Sequence, residues 1–341
     1  MNFICIFTPT IMIEINTKIS TPKYQQIVFS IEKAITQGEL KKGDQIPSIN
    51  AIKEKHNLSR DTVFMAFNDL KSRGVIQSVV GKGYYVTSEN IKIKQKVFLL
   101  FDELNSFKED LYSAFINNLN SHIEVDIYFH HFNLNVFKNV IKNNIGNYNH
   151  YVIMPANLDR TSETLQKLPE DKVYVLDQMP KDLQHYSGIY QNFAKDIYTN
   201  LEKAVALIKK YRKLLLIFSP DKQPVDMKEG FIKFCKKYNI PYSILDAMQD
   251  KTPEKGELYI VPEDKQLLQI IKKMKSKQYK LAEDIGIISY NDTLLKEIVE
   301  GGITTISTDF TAMGKRLAEM IQNNENQHIE NPNRLILRHS L

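Results

Sequence analysis

The sequence has few of the residues that hold small secreted or metal-dependent proteins together. It contains two cysteines in 341 residues, Cys5 and Cys235. Two thiols cannot form a disulfide framework or a thiolate zinc site, so we expect a protein of the reducing bacterial cytoplasm. His130 and His131 are adjacent, but neighbouring strand residues point to opposite faces. We therefore expect neither a metal site nor a cofactor.

Long apolar runs are also missing. Residues 1–12 are apolar, but they are too few to span a membrane and lack the basic start of a signal peptide. We interpret residues 1–11 as a disordered extension or as the result of an early start codon, and expect no membrane partner. The chain also lacks the GxSxG, HExxH, P-loop and strand-to-helix GxGxxG motifs of common enzymes. No catalytic residue is predicted.

Charge alone says little about partners. The net charge is only +5 over a length that allows two or three domains. Residues 1–90 hold 11 Lys or Arg against eight Asp or Glu. This excess is modest support for a surface that faces nucleic-acid phosphates, and it fits an ordinary solvated surface equally well.

Residues 45–86 predict two helices followed by a β-hairpin. The first helix spans 49–56, and Ser59 caps the second, because its hydroxyl can accept from a free backbone N–H one turn on. An apolar face at helical spacing follows in Val63, Phe67 and Leu70. Strands at 75–80 and 84–87 then flank Gly81-Lys82-Gly83. This order is typical of a winged helix-turn-helix.

Residues 21–86, which include this segment, resemble the DNA-binding domain of the gluconate-repressor (GntR) family of bacterial transcription regulators. The matching motifs stand in the family's order and are PKYQQI (22–27), GELKKGD (38–44), IPS (46–48), LSRDTV (58–63) and GKGY (81–84). The resemblance implies a DNA-binding domain over residues 12–87. Its expected DNA contacts are Ser48, Asn50, Ser59, Arg60, Thr62, Gly81, Lys82 and Gly83.

The chemistry of these residues fits DNA. Arg60 begins the recognition helix, where a guanidinium reaches phosphates and guanine edges. Ser48 and Thr62 can donate to phosphates from helix N-termini. Lys82 lies between two glycines that let the backbone approach the minor groove. The family usually has Arg where Asn50 stands, which affects the expected operator sequence.

A polar linker is predicted at residues 88–95, and a different pattern begins after it. Over 96–341, apolar runs alternate with helical periodicity, and the runs are long enough for strands buried on both faces. Such alternation implies right-handed crossovers and parallel sheets. We predict an α/β fold of two doubly wound lobes. Their expected ranges are 96–188 with 309–324, and 189–306 with 327–341, and the expected crossovers lie near 188–190, 307–309 and 323–327.

This region resembles the effector domain of the lactose/galactose-repressor (LacI/GalR) family, which has a periplasmic-binding-protein-like fold. The motifs that carry the resemblance are EDIGIISYND (283–292), ITTI (303–306), Asp309-Phe310 and Met313-Gly314. A winged helix of the first family joined to such a domain is found in the arabinose repressor group. That combination implies sensing of a pentose or a deoxyhexose.

Ligands of such folds lie between the lobes, at the carboxyl ends of the strands. Carboxylates and amides suit sugar hydroxyls, and aromatic rings suit the apolar face of a sugar. The family commonly has Arg where Met227 stands, which argues against an anionic ligand or transfers that role to Lys228. The ligand-binding candidates are Asp102, Phe107, Asp177, Asn192, Met227, Lys228, Asn291 and Asp292.

The sequence thus predicts a ligand-responsive transcription regulator, a repressor that a sugar releases from DNA. It would bind a pseudo-palindromic operator as a homodimer, because two winged domains read two half-sites. Two alternatives stay open. One is a regulator fused to a pyridoxal-phosphate enzyme, although that domain needs more residues than remain here. The other is a DNA-binding protein that responds to no effector.

Overall fold

The computed structural model describes residues 13–16, 22–89, 95–121, 123–248 and 251–341. The predicted extension at 1–11 and most of the predicted linker at 88–95 lie outside these residues. Within the described ranges, no helix is long and apolar enough to cross a membrane.

The N-terminal domain is a winged helix-turn-helix. Its elements are α1 (Lys23–Thr36), β1 (Gln45–Ile46), α2 (Ile49–His56), α3 (Arg60–Ser72), β2 (Ile76–Val79) and β3 (Gly83–Val86). The strands form an antiparallel sheet in the order β1-β3-β2. Phe67 of α3 is fully buried and packs edge-to-face on Tyr84 of the wing, with 4.7 Å between ring centroids. The apolar face predicted for α3 therefore joins the helices to the hairpin.

The rest of the chain alternates strands and helices. In chain order the elements are β4 (Gln95–Phe101), α4 (Ser106–Asn118), β5 (Ile123–Phe129), α5 (Leu134–Asn144), β6 (His150–Ile153), α6 (Ser162–Leu165), β7 (Val173–Asp177), β8 (Ser187–Tyr190), α7 (Phe193–Lys203), α8 (Val205–Ile208), β9 (Lys213–Ile217), α9 (Val225–Lys237), β10 (Tyr242–Leu245), β11 (Glu257–Val261), α10 (Asp264–Ser276), β12 (Ile285–Tyr290), α11 (Leu294–Ile298), β13 (Thr304–Thr308), α12 (Phe310–Asn323), β14 (His328–Glu330) and β15 (Asn333–Ile336).

These strands form two six-stranded sheets, each the centre of one lobe. Lobe one has the order β14-β8-β7-β6-β4-β5, and all its pairings are parallel. Lobe two has the order β10-β9-β11-β12-β13-β15, and only its β13–β15 pairing is antiparallel. Separate apolar clusters cover the two faces of each sheet, as parallel sheets require. This is the predicted α/β fold of two doubly wound lobes.

One helix pair in each lobe is in backbone contact at a glycine. A Cβ atom on Gly314 of α12 would lie 2.2 Å from the carbonyl oxygen of Leu111 on α4. A Cβ atom on Gly230 of α9 would lie 2.3 Å from the carbonyl oxygen of Ala194 on α7. No other residue type fits these approaches, so each glycine fixes how its helix pair packs.

The third crossover differs from the prediction. It was expected near 323–327, but the chain first adds β14, which pairs in parallel with β8 of lobe one. The crossover therefore lies between Glu330 and Asn333. The prediction was wrong because β14 has only three residues, none of them fully buried, and so shows no apolar pattern.

Candidate DNA-binding surface and ligand cleft

The two helix starts of the winged domain are built as the sequence predicted. The Ser48 hydroxyl accepts from the N–H of Ala51 at 3.1 Å, and the Ser59 hydroxyl accepts from the N–H of Thr62 at 3.1 Å. The hydroxyls of Ser59 and Thr62 also lie 2.8 Å apart. Each capping bond uses one acceptor site of a serine hydroxyl. Both serines are exposed, so their hydroxyls can form further hydrogen bonds.

The predicted DNA contacts are largely accessible. Six of them are exposed, namely Ser48, Asn50, Ser59, Arg60, Gly81 and Lys82, and Thr62 and Gly83 are partly buried. The wing tip is held by Gln45, whose side-chain amide donates a 2.7 Å hydrogen bond to the carbonyl oxygen of Lys82. Gly81 and Gly83 have φ values of +73° and +107°, which non-glycine residues rarely adopt. The wing therefore presents Lys82 in a defined turn.

Helix α3 also contacts lobe one, which the sequence did not indicate. The Lys71 ammonium donates to the Asn147 amide oxygen at 3.3 Å, and Asp69 forms an ion pair of 3.6 Å with Lys172. Burial raises the pKa of Asp69, and Lys172 opposes that rise. A cavity of about 300 Å³ lies beside this contact, with Phe64 on its α3 side.

A second cavity, of about 320 Å³, lies between the lobes at the carboxyl ends of the strands. Its size is at the lower end of the range typical of small-molecule sites. Five of the predicted ligand residues line it, namely Asp102, Phe107, Asp177, Met227 and Asn291. We use the term cleft for this cavity.

Three predicted ligand residues are absent from the cleft lining. Asn192 caps α7 at the N–H of Lys195 and donates to Glu330. The Lys228 ammonium lies 5.9 Å from the ring centroid of Phe218. Asp292 turns away from the cleft because Arg338 binds it with two hydrogen bonds of 2.6 and 2.7 Å. Arg338 holds the pKa of Asp292 below its usual range despite the opposing effect of burial.

Two buried lysines in the cleft wall are tied to carboxylates. Lys108 pairs with Asp102, and both side chains are almost completely buried. Lys296 donates to the backbone oxygens of Tyr290 and Asn291, each at 2.7 Å, and lies 2.9 Å from Asp264. Burial lowers the pKa of Lys296, although Asp264 counteracts it. Lysine is rarely buried, so neither residue could be expected here from the sequence alone.

Two residues that line the cleft, Tyr290 and Asn291, have buried polar atoms without partners among the described residues. In the described part of the chain, the Tyr290 hydroxyl and the side-chain oxygen of Asn291 are buried and have no hydrogen-bond partner. Burial raises the pKa of Tyr290, so its hydroxyl keeps its proton. Asn291 has a φ of +58°, and the Lys296 bonds hold this turn in place. Buried polar groups normally find partners, so these atoms can receive groups of a ligand.

The carboxylate of Asp177 is another polar group of the cleft that is almost completely buried. Burial raises its pKa, and Lys108 opposes that rise. The side-chain amide of Gln191 donates to it. Asp177 has a φ of +75°, an unusual backbone conformation for a residue with a side chain. Gln191 itself lines the cleft and was missed by the sequence reasoning.

Two regions of the chain match known families. Residues 23–86 match the family described as bacterial regulatory proteins, gntR family. Residues 207–341 match the family described as periplasmic binding protein-like domain.

Individual proteins with a similar sequence or structure are regulators. The transcriptional repressor YtrA of Bacillus subtilis is 30% identical over 106 residues, which is 30% of this chain and 81% of YtrA. The mannosyl-D-glycerate system repressor MngR of Escherichia coli is 34% identical over 31% of this chain and 41% of its own. A LacI family regulator from Enterococcus faecium, solved with bound ribose, has a TM-score of 0.58 at 16% identity, covering 72% of this chain and 98% of that one. The similarity to the Enterococcus faecium regulator is a similarity of fold alone.

Proposed function

Because the chain belongs to the GntR family of bacterial regulatory proteins, we propose that it is a transcription repressor that a sugar bound in the cleft releases from its operator. The observation that carries the proposal is the composition of the cleft. Unpartnered polar atoms of Tyr290 and Asn291 and the carboxylate of Asp177 share a cavity with the ring of Phe107. Sugar hydroxyls both donate and accept, and a sugar ring has an apolar face.

The charges of the cleft support a neutral sugar. Met227 gives the wall an apolar side chain, and the buried lysines are already paired, Lys108 with Asp102 and Lys296 with Asp264. An anionic ligand would have to compete with these carboxylates for the ammonium groups. The small cavity favours a monosaccharide of the pentose or deoxyhexose class. Regulators of similar fold have been solved with ribose and with glucose.

The experiment is a thermal-shift screen of the full-length protein against pentoses, deoxyhexoses, hexoses and their phosphates. A ligand that binds only the folded state raises the melting temperature. We expect stabilisation by one or more neutral monosaccharides and none by the matching phosphates. Operator DNA selected from random duplexes should then lose affinity when the stabilising sugar is saturating. Stabilisation by phosphates alone, or an operator affinity unchanged by every sugar, would refute the proposal.

We further propose that the protein acts as a homodimer through lobe two. The short helix α11 exposes three apolar side chains, with Leu294 and Ile298 each 76% exposed and Leu295 38% exposed. Apolar groups clustered in this way on one helix mark interaction surfaces. A second copy of the chain is the partner that a two-half-site operator requires.

A further inference from the structure

A chain of side-chain hydrogen bonds runs from lobe two through all three crossovers to the cleft. The Asn200 amide of α7 donates to the Asn333 oxygen at 2.7 Å, and the Asn333 amide donates to the Thr308 hydroxyl at 3.1 Å. The Thr308 hydroxyl donates to the Gln191 oxygen, and the Gln191 amide donates to the carboxylate of Asp177. We call these five residues the crossover chain.

Its members lie where the lobes are joined. Gln191 follows β8 on the first crossover, Thr308 ends β13 at the second, and Asn333 begins β15 at the third. Backbone bonds hold the crossovers together as well, because the N–H of Asn331 donates to the Tyr190 carbonyl oxygen at 2.8 Å. A change in lobe arrangement has to alter the crossovers, so it has to alter this chain.

The interior position makes the bonds costly to break. Asn200 is 1% exposed, Thr308 4% and Gln191 7%. A buried polar group that loses its partner suffers the full desolvation penalty, and hydrogen bonds in series strengthen one another.

The carboxylate of Asp177 determines which group donates and which accepts in every hydrogen bond of the crossover chain. A carboxylate only accepts, so Gln191 must present its NH₂ group there and its oxygen to Thr308. The single hydroxyl hydrogen of Thr308 is then used, so Thr308 must accept from the Asn333 amide. The side-chain oxygen of Asn333 is then the acceptor for the side-chain amide of Asn200. The chain is therefore unidirectional and ends on the cleft carboxylate.

We propose that Gln191 and Thr308 are positioning residues that orient the Asp177 carboxylate for a sugar hydroxyl and make that orientation depend on the crossovers. The inference rests on the proposed function, because it takes Asp177 to bind the sugar. Asp177 needs such support, since its left-handed backbone is a strained conformation for a non-glycine residue. A sugar on Asp177 then favours the lobe arrangement in which the chain is complete.

The test compares Thr308→Val with Thr308→Ser in the full-length protein. Valine matches the shape of threonine and can neither donate nor accept, whereas serine keeps the hydroxyl. Titration calorimetry uses D-ribose and L-arabinose. We expect Thr308→Val to weaken binding of the recognised pentose by up to about tenfold, as for loss of a hydrogen bond between neutral groups, and Thr308→Ser to bind almost as wild type. Pentose binding by Thr308→Val at wild-type affinity would overturn the inference.

A double-mutant cycle separates positioning from general damage. If Thr308 acts through Asp177, Thr308→Val should add little further loss of pentose affinity in an Asp177→Ala background. Equal losses in both backgrounds would mean that Thr308 does not act through Asp177.

A measurement without ligand covers the case in which neither pentose binds. That result would count against the proposed pentose ligand and not against the crossover chain. Small-angle X-ray scattering of the sugar-free proteins should then show a larger radius of gyration for Thr308→Val than for wild type and Thr308→Ser. Identical scattering from all three proteins would show that the chain does not set the lobe arrangement.

Discussion

The side-chain amide of Asn157 in lobe one donates a 2.8 Å hydrogen bond to the carbonyl oxygen of Gln223 in lobe two. The same amide donates to the Pro220 carbonyl oxygen at 3.2 Å. Lys222 and Glu103 add an ion pair of 3.9 Å between the lobes. These contacts connect the two lobes beside the cleft, because Glu103, Lys222 and Gln223 all line it.

The first prediction concerns this bridge. Asn157→Ala removes both hydrogen bonds without removing a side chain that lines the cleft, so a bound sugar should escape faster. Loss of a hydrogen bond predicts a dissociation rate increased roughly two- to twelvefold, measured by stopped-flow fluorescence. Asn143→Ala, an exposed asparagine in the same lobe, is the control. Equal rates in both variants would mean that the bridge does not retain ligand.

The second prediction concerns DNA. Arg60→Ala should weaken operator binding by about 1–3 kcal/mol and relax base preference if the contact is to a base. Lys82→Ala should weaken binding to all DNA sequences alike, and it should lower the salt dependence of binding by the equivalent of about one phosphate contact. Fluorescence anisotropy at several salt concentrations distinguishes the two. Both variants should stay folded, since both residues are exposed. Wild-type affinity in both would contradict the assigned roles.

The third prediction separates the cleft from its surroundings. Asp177→Ala and Asn291→Ala should abolish the sugar response while leaving sugar-free operator binding intact. Asp292→Asn should instead lower thermal stability, because it weakens the bidentate pair with Arg338. Operator affinity with and without saturating sugar, together with melting curves, tests all three. A normal sugar response in both alanine variants would place the ligand site elsewhere.

The fourth prediction concerns the contact between α3 and lobe one. Phe64 shares a cavity with Ile145 and Leu168 of lobe one, and we expect a duplex bound along α3 to need this space. Lys172→Ala removes the ion pair with Asp69, so it should loosen the contact and raise operator affinity up to about fivefold. Lys142→Ala, an exposed lysine on α5, controls for the lost charge. Weaker binding in Lys172→Ala alone would show that the contact assists DNA binding.

The fifth prediction concerns assembly. Leu294→Glu places a charge on the apolar face of α11 and should shift the protein from dimer to monomer in sedimentation at micromolar concentration. Leu268→Glu, on the 44% exposed Leu268 of α10, is the matched control. Operator affinity should fall with the dimer, because two half-sites then bind independently. A monomeric wild type, or a dimeric Leu294→Glu, would contradict the proposed interface.

Local chemistry explains what the sequence could predict. Ser59 caps α3 as expected, and strands such as β4 are recognisable because every residue from Val97 to Phe101 is buried. Asp177 and Asn291 could be placed in the cleft because Asp177 ends a strand, Asn291 follows one, and strand ends of a parallel sheet meet at one edge.

The misses have a different cause, because they depend on contacts distant in sequence. Asp292 also follows a strand, but Arg338 binds it from 46 residues away. Thr308 and Gln191 lie 117 residues apart, and the sequence around neither residue indicates that they form a hydrogen bond. In the sequence, Lys296 resembles an ordinary surface lysine. In the structure it is 1% exposed, because it pairs with Asp264 and donates to the backbone of the Asn291 turn.

The return of α12 and β14 to lobe one has a consequence for biosynthesis. Gly314 of α12 packs against Leu111 of α4, yet more than a hundred residues separate α12 from the end of β8. As the chain leaves the ribosome, the elements of the winged domain are synthesised first. One helix face of lobe one then stays uncovered until almost all of lobe two has been synthesised. Pairings this distant in sequence form slowly, and an uncovered apolar face favours aggregation. We expect the nascent effector domain to depend on chaperones until α12 has docked.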